Sequence, residues 1–543
     1  MQTLVSQTTR HFLIPGMATL KPQQLQAPST NFDCRKWAVI SVLALQMTAG
    51  GAEPIVQWAT VAGGPGSDYP SGIALAPAGE LYLVGDLEQE LNGGWSRPTK
   101  VLYKFDLSGT LFGSQASRGE AIRAVAVDAQ GNYYLTGYVW DSATLGLGHA
   151  NDFYLAKYSS TGTLLWERTA GTPSYSTAYS SGGYSIALDA AGHVYVAGGS
   201  SGPAIFGDIT FPTTGGGSLL CKYDRDGTLL WAKRAETGGG GAGSIALDAN
   251  GDIVIGASAS NGQWDLGGTV VTIDGPYGGN VYVAKYSAAG EVQWAKAAHG
   301  GWVAADKRGN VYCTGHAISA DPAGLNGMHC SKFTREGELV WEKTIQGAWP
   351  YSLALDGKDE PIFTAEFLET VQLDDLSVQH SGTEGEILIC KADATGQFKW
   401  ALAGSGSARG NALGVVCDRV GNAYVAGTIG CSLINGAWVC FEGMLGSFPL
   451  NMLFPGDAYT KDVFVARLSN PDAVAVELSI ARTASGVALS WPVQATNYVL
   501  EAATTLPAIT WNPVTNNSTV GPTERSVQLP ITGGAKFFRL RGP

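Results

Sequence analysis

The chain has 543 residues, of which 73 are glycine and 45% are hydrophobic, and its net charge is −12. Glycine is nearly twice as frequent as in average proteins but follows no Gly-X-Y period, which excludes a collagen-like chain, and the hydrophobic content excludes wholesale disorder. Lysine and arginine form no cluster in the acidic background, so neither a nucleic acid nor an anionic membrane surface is an expected partner. This composition predicts many short strands joined by turns.

The N-terminal segment predicts a secretion signal. Arg35 and Lys36 precede an apolar run over 37–47, and small residues lead to a cleavage point after Ala52. The run is shorter than the roughly 20 residues that span a bilayer, and no later run is long enough, so we expect no membrane span. A buried strand or helix is the alternative for this run. We therefore expect residues 1–52 to be a leader, and the protein to be exported to the extracellular space, the cell surface or the periplasm.

An internal repeat with a period of about 57 residues runs through most of the chain. Each copy predicts four short strands, a to d, with tight a–b and c–d turns and a long b–c loop; in the third copy these strands are 186–189, 194–197, 219–223 and 228–231. The a–b turn follows an Asp-x-x-Gly pattern, in which the aspartate caps backbone amides and the glycine takes a left-handed conformation. The glycine position of this turn recurs at Gly79, Gly131, Gly192, Gly251, Gly309, Asp359 (a degenerate copy) and Gly421.

A second repeated position indicates how the array ends. Four residues after the c–d turn glycine, strand d carries Gly113, Trp166, Trp231, Trp294, Trp341 and Trp400. The seventh copy ends near residue 468 without such a strand, and the N-terminal segment around Trp58 can supply it. Ring closure hides the edges that an open array would expose. We therefore predict an all-β fold, with residues 53–468 forming a seven-bladed β-propeller closed by the N-terminal strand, in which the strand-d tryptophans are packing residues.

The repeat core resembles a known family. It reads Asp128-Ala-Gln-Gly-Asn-Tyr-Tyr134, Asp306-Lys-Arg-Gly-Asn-Val-Tyr312 and Asp418-Arg-Val-Gly-Asn-Ala-Tyr424, with c strands such as Phe153-Tyr-Leu-Ala-Lys-Tyr158. These motifs resemble the SBBP-type bacterial β-propeller repeat, and the resemblance covers 55–468. It implies an exported, repeat-built propeller and no shared chemistry. The first and sixth copies depart most from the pattern.

The C-terminal residues form a different unit. After a linker at 469–473, residues 474–543 contain six or seven alternating apolar segments, which predict a small β-sandwich. The ending Phe537-Phe-Arg-Leu540 resembles fibronectin-like modules of secreted bacterial proteins. The resemblance implies a role in attachment or sorting.

The cysteines predict one disulfide. Cys431 and Cys440 flank Asn435-Gly436, the strongest two-residue hairpin turn signal, and counting outwards from this turn places them directly opposite each other. Cys313 and Cys330 are a second, weaker candidate pair. No cysteine or histidine spacing is typical of a metal site, so we expect no metal and no cofactor.

The predicted binding surface is the face that carries the b–c loops, because variable loops on a rigid scaffold commonly carry function. Aromatic side chains there could stack on a sugar ring or hold a peptide. In the alternative, each aromatic residue only anchors its own loop. The candidate ligand-binding residues are Trp95, Trp140, Trp264, Tyr277 and Trp438, and further loop aromatics are Phe206, Phe441 and Phe454.

The sequence predicts a monomeric, non-catalytic protein that binds an extracellular protein or a glycan. It contains neither a nucleophile elbow nor a phosphate loop, and His316 is the one histidine whose b–c loop position merits a test for catalysis. One alternative is an enzyme, a lyase or a glycan hydrolase, with its site at the central mouth of the propeller; it predicts histidine and carboxylate groups converging there. A structural surface protein is the other alternative.

Overall fold

The computed structural model describes residues 54–541, with gaps. The gaps are residues 64–66, 78, 88–98, 117–120, 141–150, 172–179, 213–214, 275–280, 318–326, 383, 435–436, 447, 453–459, 472–477, 484–485, 493–498, 504–511, 516–517, 522–523 and 531–536. The predicted leader lies outside the described residues. The described part of the chain consists of strands and turns, and it holds no helix long and apolar enough to cross a membrane.

The described strands up to residue 235 form an N-terminal strand and the first three sheets of a regular array. The N-terminal strand is β1 (Val56–Ala62). Sheet 1 contains β2 (Tyr69–Leu75), β3 (Leu81–Leu87), β4 (Thr99–Phe105) and β5 (Leu111–Ala116). Sheet 2 contains β6 (Ala121–Val127), β7 (Tyr133–Trp140), β8 (Asn151–Tyr158) and β9 (Leu164–Ala170). Sheet 3 contains β10 (Ser181–Leu188), β11 (Val194–Ser201), β14 (Gly216–Tyr223) and β15 (Leu229–Ala235), with a hairpin of β12 (Ala204–Phe206) and β13 (Ile209–Phe211) between its second and third strands.

The array continues in the same way to residue 468. Sheet 4 contains β16 (Ala242–Leu247), β17 (Ile253–Ser258), β20 (Val281–Tyr286) and β21 (Val292–Ala297), with the hairpin β18 (Gly262–Asp265) and β19 (Val270–Ile273). Sheet 5 contains β22 (Trp302–Ala305), β23 (Val311–Ala317), β24 (Gly327–Phe333) and β25 (Leu339–Gln346). Sheet 6 contains β26 (Ala348–Leu355), β27 (Pro361–Phe367), β30 (Glu386–Ala392) and β31 (Phe398–Gly406), with the hairpin β28 (Val371–Leu373) and β29 (Leu376–Val378). Sheet 7 contains β32 (Gly410–Cys417), β33 (Ala423–Ile434) and β37 (Lys461–Leu468), with β34 (Ala437–Cys440), β35 (Glu442–Leu445) and β36 (Phe448–Asn451) between its second and third strands.

The seven sheets share one antiparallel topology. In sheets 1 to 6 the four strands pair in chain order, first to fourth. In sheet 7 the order is β32-β33-β37-β1, so the N-terminal strand takes the fourth place, with Ala59 paired to Ala466. Each sheet thus contains a set of four strands in this order, and the fourth strand of sheet 7 comes from the other end of the array. Beyond this set, β35 and β36 are added to sheet 6, and β34 is added to sheet 7.

Contacts between the sheets form a closed cycle. The first strand of each sheet contacts the first strand of the next one along the chain, and β32 of sheet 7 contacts β2 of sheet 1. Apolar clusters fill the spaces between neighbouring sheets. Tyr82 of sheet 1 shares a cluster with Leu135 of sheet 2, and Tyr103 of sheet 1 shares another with Val465 of sheet 7. The junction of sheets 7 and 1 is therefore packed like the others.

The turns adopt the conformations that the repeat predicts. The a–b turn glycines have φ between 79° and 96°, and the c–d turn glycines, from Gly109 to Gly396, have φ between 81° and 90°. Glycine is favoured there because such a backbone conformation is unfavourable for residues with a Cβ. In the degenerate sixth copy Asp359 takes the same conformation, with φ of 63°, and aspartate is among the few other residues that tolerate it. The turn geometry is thus kept where its usual residue is missing.

The strand-d tryptophans join each sheet to the next. Trp58 donates its indole N–H to the carbonyl of Leu107 in the c–d turn of sheet 1 (2.8 Å), and Trp166 donates to Arg225 in the same turn of sheet 3 (3.1 Å). The indole ring also lies against the turn glycine, since a Cβ at Gly109 would be 2.6 Å from Trp58. Packing, as predicted, is the role of these tryptophans. The N-terminal strand makes the contact to sheet 1 that β9 makes to sheet 3.

A cation in the third strand of each sheet reinforces these contacts. It lies opposite a second-strand tyrosine in five sheets, with the charged group 4.7–5.6 Å from the ring centre, as in Lys332 over Tyr312. In sheets 4 and 6 the opposing residue is aliphatic, and the lysine is buried in an ion pair instead: Lys285 with Asp248 at 2.9 Å and Lys391 with Asp356 at 2.8 Å. The cation is thus satisfied in two different ways.

The segments between second and third strands are more ordered than loops in several sheets. They form two-stranded hairpins in sheets 3, 4 and 6, and in sheet 7 the hairpin β35–β36 extends sheet 6 by pairing with β31. Several of their apolar side chains are buried, such as Val271 and Ile273, while Ile205 and Val270 are exposed. Phe206 and Phe441 are fully buried, so each anchors its own segment, as the alternative for the loop aromatics predicts. Phe454 lies outside the described residues.

The C-terminal unit contains two small antiparallel sheets. Its strands are β38 (Ser479–Arg482), β39 (Gly486–Pro492), β40 (Val499–Ala503), β41 (Asn512–Pro513), β42 (Thr519–Val520), β43 (Glu524–Pro530) and β44 (Phe537–Arg541). The sheet orders are β38-β39-β43-β42 and β41-β40-β44. Leu489, Trp491, Leu500 and Val527 form a common apolar cluster between strands of the two sheets.

One disulfide joins two strands of sheet 7. Cys431 pairs with Cys440 in the register of β33 and β34, and a disulfide links them. Cys313 lies opposite Ser331, while Cys330 lies opposite Thr314. Both are free thiols, so the second predicted pair is wrong.

The closing tryptophan should matter as much as an internal one. We expect Trp58→Ala and Trp166→Ala each to lower the free energy of unfolding by about 2–4 kcal/mol, because each removes a packed indole and an intersheet hydrogen bond. Urea unfolding of the two variants beside the unaltered chain measures this. A loss for Trp166→Ala with no loss for Trp58→Ala would show that the N-terminal strand is merely appended to the array.

The disulfide should stabilise the chain by about 2–3 kcal/mol, the value for closing a loop of about ten residues. We expect a reducing agent to lower the unfolding midpoint of the unaltered chain. The double variant Cys431→Ser/Cys440→Ser should start at the lower midpoint and not respond to the reducing agent, because the other described cysteines are free thiols. An equal response in both proteins would contradict the assignment.

Candidate binding site

The first strands carry an irregularity that recurs around the cycle. In every sheet except sheet 5, the pairing of first and second strands shifts by one residue, which is a β-bulge. The residues at the shifts are Ser71, Arg123, Tyr184, Gly243, Tyr351 and Leu413. A bulge leaves one residue outside the ladder and can re-aim its side chain. Six inner strands thus present one extra residue each.

These bulges surround a cavity of about 820 Å³. All six bulge residues line it, and sheet 5 contributes Trp302, so every first strand takes part. The remaining lining residues are Tyr69, Pro70, Asp86, Tyr138, Ser180, Ser181 and Gly182. Asp86 and Tyr138 lie near the ends of the second strands β3 and β7, which places the cavity towards the face of the b–c segments. Its volume is within the range of roughly 300–1,000 Å³ that is usual for small-ligand sites.

Tyr184 is the most firmly held aromatic ring of this cavity. Three glycines form a slot around it: a Cβ at Gly182, Gly199 or Gly241 would lie 3.1, 3.2 or 2.8 Å from its ring atoms. Any larger residue at these positions would displace the ring. The side chain is nevertheless 39% exposed. Tyr184 is thus a rigid aromatic platform that stays accessible.

Arg123 lies beside this platform. Its guanidinium is 5.4 Å from the centre of the Tyr138 ring, and Nη2 donates a hydrogen bond to the Tyr138 hydroxyl at 3.3 Å. Arg123 is exposed. A Cβ at Gly182 would contact both Tyr138 and Tyr184, so the two rings and the arginine line one wall of the cavity.

On the opposite side of the cycle, Tyr351 is fixed by a charged network. Its hydroxyl donates to Oε2 of Glu366 at 2.7 Å, and Arg409 donates two hydrogen bonds to the same carboxylate, both at 2.7 Å. Burial and the Glu366 charge raise the pKa of Tyr351 to about 12. The phenol therefore remains protonated at neutral pH.

Among the five predicted rim residues, the structure describes the side chain of Trp264 alone. Trp95 and Tyr277 lie outside the described residues, and Trp140 and Trp438 lie in strands whose side chains there are not described. Trp264 is described: its indole N–H donates to the carbonyl of Ser260 at 2.7 Å, and its ring packs against Gly238. It anchors its own segment, which was the alternative, and it is not among the residues that line the cavity.

The histidines form no catalytic constellation with the cavity in the part of the chain that the structure describes. His316 packs near Trp349, with ring centres 5.8 Å apart, and burial lowers its pKa. It is not among the lining residues. The ring centres of His299 and His329 are 4.9 Å apart with their planes tilted by 56°, and burial, followed by the charge of His299, lowers the pKa of His329 to about 4. Among the described residues no group of three or more metal-ligating side chains is found.

The bulge residues were missed in the sequence, although the repeat contains a signal for them. Each of the six lies five residues before the position that starts the a–b turn, as Tyr184 precedes Asp189 and Arg123 precedes Asp128. Within strongly similar first strands, this position varies from glycine to arginine and tyrosine. A position that varies where its neighbours repeat is a candidate for function rather than for packing.

Comparisons with known proteins give only fold-level similarity. No family model and no curated protein matches the chain. Similar solved structures include the Dos1 propeller (10% identity, TM-score 0.41, 78% of this chain and 97% of that one) and the C-terminal WD40 domain of Sif2 (10%, 0.34, 75% and 98%). Another is the polysaccharide lyase Uly1 (11%, 0.38, 74% and 90%). At these TM-scores we draw no conclusion about ligand or activity. The chain is an all-β protein whose similar solved structures are β-propellers.

Proposed function

We propose that residues 53–468 form a seven-bladed β-propeller of SBBP-type repeats, closed by the N-terminal strand, and that 474–543 form a fibronectin-like β-sandwich for attachment or sorting. The seven sheets of this chain support the first part, since their first strands contact one another in a cycle. Trp58 supports the closure, because it joins sheet 7 to sheet 1 as the internal tryptophans join their sheets. The apolar cluster between the two C-terminal sheets supports the sandwich.

The propeller acts as a non-catalytic binding protein for a glycan, in this proposal. The observation that carries it is the Tyr184 platform: a ring held by three glycines, 39% exposed, in a cavity that also contains Tyr69, Tyr138, Trp302 and Tyr351. The apolar face of a sugar ring stacks on such aromatic rings, while its hydroxyl groups need polar partners nearby. Ser180, which is exposed in the lining, offers such a partner.

The cavity tyrosines are protonated at neutral pH. Burial raises the pKa of Tyr184, and burial together with Glu366 raises that of Tyr351 to about 12. A general base needs a pKa near the working pH. In this proposal the two phenols therefore serve as binding groups rather than as general bases.

Export is the proposed location. The signal-like N-terminal segment supports it, and so does the Cys431–Cys440 disulfide, because disulfides persist mainly in oxidising compartments.

Removing the platform should weaken glycan binding. We expect Tyr184→Ala to weaken binding to the best ligand of an oligosaccharide array by about tenfold or more, roughly 1.4 kcal/mol, because the stacking ring is lost. Tyr184→Phe should bind like the unaltered chain because it keeps the ring. Isothermal titration calorimetry measures both.

Trp264→Ala is the matched control, since it removes an aromatic ring on a b–c segment outside the cavity. Loss of binding in Trp264→Ala with full binding in Tyr184→Ala would move the site to the loop aromatics. Shortening of the bound oligosaccharide during incubation would establish the enzyme alternative.

A further inference from the structure

We infer that the ligand of the central cavity is an acidic oligosaccharide, with a carboxylate on its sugar ring, and that Arg123 selects it. This inference rests on the proposed glycan-binding function and adds the class of sugar. It assigns different roles to neighbouring residues: Tyr184 provides affinity for sugar rings in general, and Arg123 provides the preference for a negative charge.

The position of Arg123 is set by the bulge in β6. Its two chain neighbours belong to the regular ladder: Ile122 pairs with Gly137, and Ala124 pairs with Thr136. Arg123 itself pairs with no residue of β7. The bulge therefore turns a long cationic side chain towards the cavity, where it is exposed. Because Arg123 is exposed, packing of the core does not explain why this position carries such a long side chain.

The guanidinium is held in a defined orientation. It lies over the Tyr138 ring at 5.4 Å and donates from Nη2 to the Tyr138 hydroxyl. A cation stacked on an aromatic ring loses little further freedom when it binds a ligand. The planar fork of N–H donors matches the two oxygens of a carboxylate, which a lysine ammonium does not.

Arg123 is close enough to the platform to act on a stacked sugar. Burial raises the pKa of the Tyr184 phenol, and the positive charge of Arg123 acts on that phenol in the opposite direction. The two side chains line the same wall of the cavity. A carboxylate at the edge of a ring stacked on Tyr184 therefore points towards the guanidinium.

The other charges of the cavity fit a sugar acid rather than a polyanion. Among the described lining residues the charged ones are Arg123 and Asp86. A carboxylate such as Asp86 accepts hydrogen bonds from sugar hydroxyls and repels any anionic group, so we expect the negative charge of the ligand beside Arg123 and its hydroxyl groups beside Asp86. Glu366, near the cavity, is already bound to Arg409 and Tyr351. A single arginine among groups that accept hydrogen bonds from hydroxyls suits a sugar with one carboxylate. The net charge of −12 repels a ligand with many closely spaced negative charges.

The test compares two probes that differ at the carboxyl groups alone: a uronic-acid tetrasaccharide and its fully methyl-esterified form. Esterification removes each negative charge and adds one methyl group. Calorimetry with the full chain should show about tenfold tighter binding of the acid at low salt, with the preference falling as salt is raised. In Arg123→Gln the acid should bind only as tightly as the ester, and ester binding should stay unchanged. Arg123→Lys should keep only part of the preference, because it keeps the charge and loses the fork.

The possible outcomes separate this inference from the proposed function. Equal binding of acid and ester by the unaltered chain, or a preference that survives in Arg123→Gln, overturns the role of Arg123 while leaving glycan binding in place. Binding of neutral oligosaccharides alone has the same meaning. Failure to bind any oligosaccharide overturns the proposed function and this inference together. Loss of ester binding in Arg123→Gln would show that the arginine only supports the wall, and it also overturns the selective role.

Discussion

A hydrogen bond from one sheet to the c–d turn of the next is the recurring interaction on which most of the array depends. In sheet 5, for example, the indole of Trp341 and the ammonium of Lys332 both donate to the carbonyl of Ala394 in sheet 6, at 3.1 Å each. The carbonyl is available because the turn glycine takes a positive φ and has no Cβ to keep the indole away; a Cβ at Gly396 would lie 2.8 Å from Trp341. Turn conformation and intersheet packing therefore constrain each other, and neither can change alone.

The two departures from this pattern follow from the same constraint. Sheet 1 has Gly113 in place of the tryptophan, and Gln115 on the same strand donates instead to the carbonyl of Gly162 in sheet 2, at 3.1 Å. Sheet 7 has no c–d turn, because its fourth strand is β1, and Trp400 of sheet 6 therefore has no hydrogen-bond partner among the described residues, although it is only 4% exposed. The hairpin β35–β36 compensates at this junction: it pairs with β31, and its Phe448 shares an apolar cluster with Trp400. The junction that lacks this hydrogen bond thus receives an additional pair of strands.

The sequence predicts the turns, the strand-d tryptophans and the disulfide but not the bulges that line the cavity, for one physical reason. Turn glycines, the strand-d tryptophans and the Cys431–Cys440 register follow from local rules of backbone conformation and strand alternation, which repeat in every copy. The bulge at Arg123 or Tyr184 shifts that alternation by one residue. Strand alternation alone predicts that this residue belongs to the regular ladder, so it does not reveal the bulge. The b–c segments also differ from the expected loops. Residues such as Phe206 belong to short hairpins whose strands are too short for their alternation to predict them. The glycines around Tyr184 come from three separate strands or turns, so only the folded chain brings them together.

The frame also explains why the inner bulges can carry specificity. Many side chains that join neighbouring sheets lie on the second, third and fourth strands, such as Tyr82, Lys104 and Trp58, although the first strands also contact one another. At the Gly243 bulge an added Cβ would meet no heavy atom within 4 Å, so a larger residue there would change the cavity wall without a clash at its Cβ. The seven sheets have a similar framework, and each contributes a different position to the cavity wall. The six bulges contribute a serine, an arginine, two tyrosines, a leucine and a glycine, and the sheet without a bulge contributes a tryptophan. Such an arrangement suits a binding protein, because the chemistry of the cavity can be adjusted one strand at a time while the closure between β1 and sheet 1 stays intact.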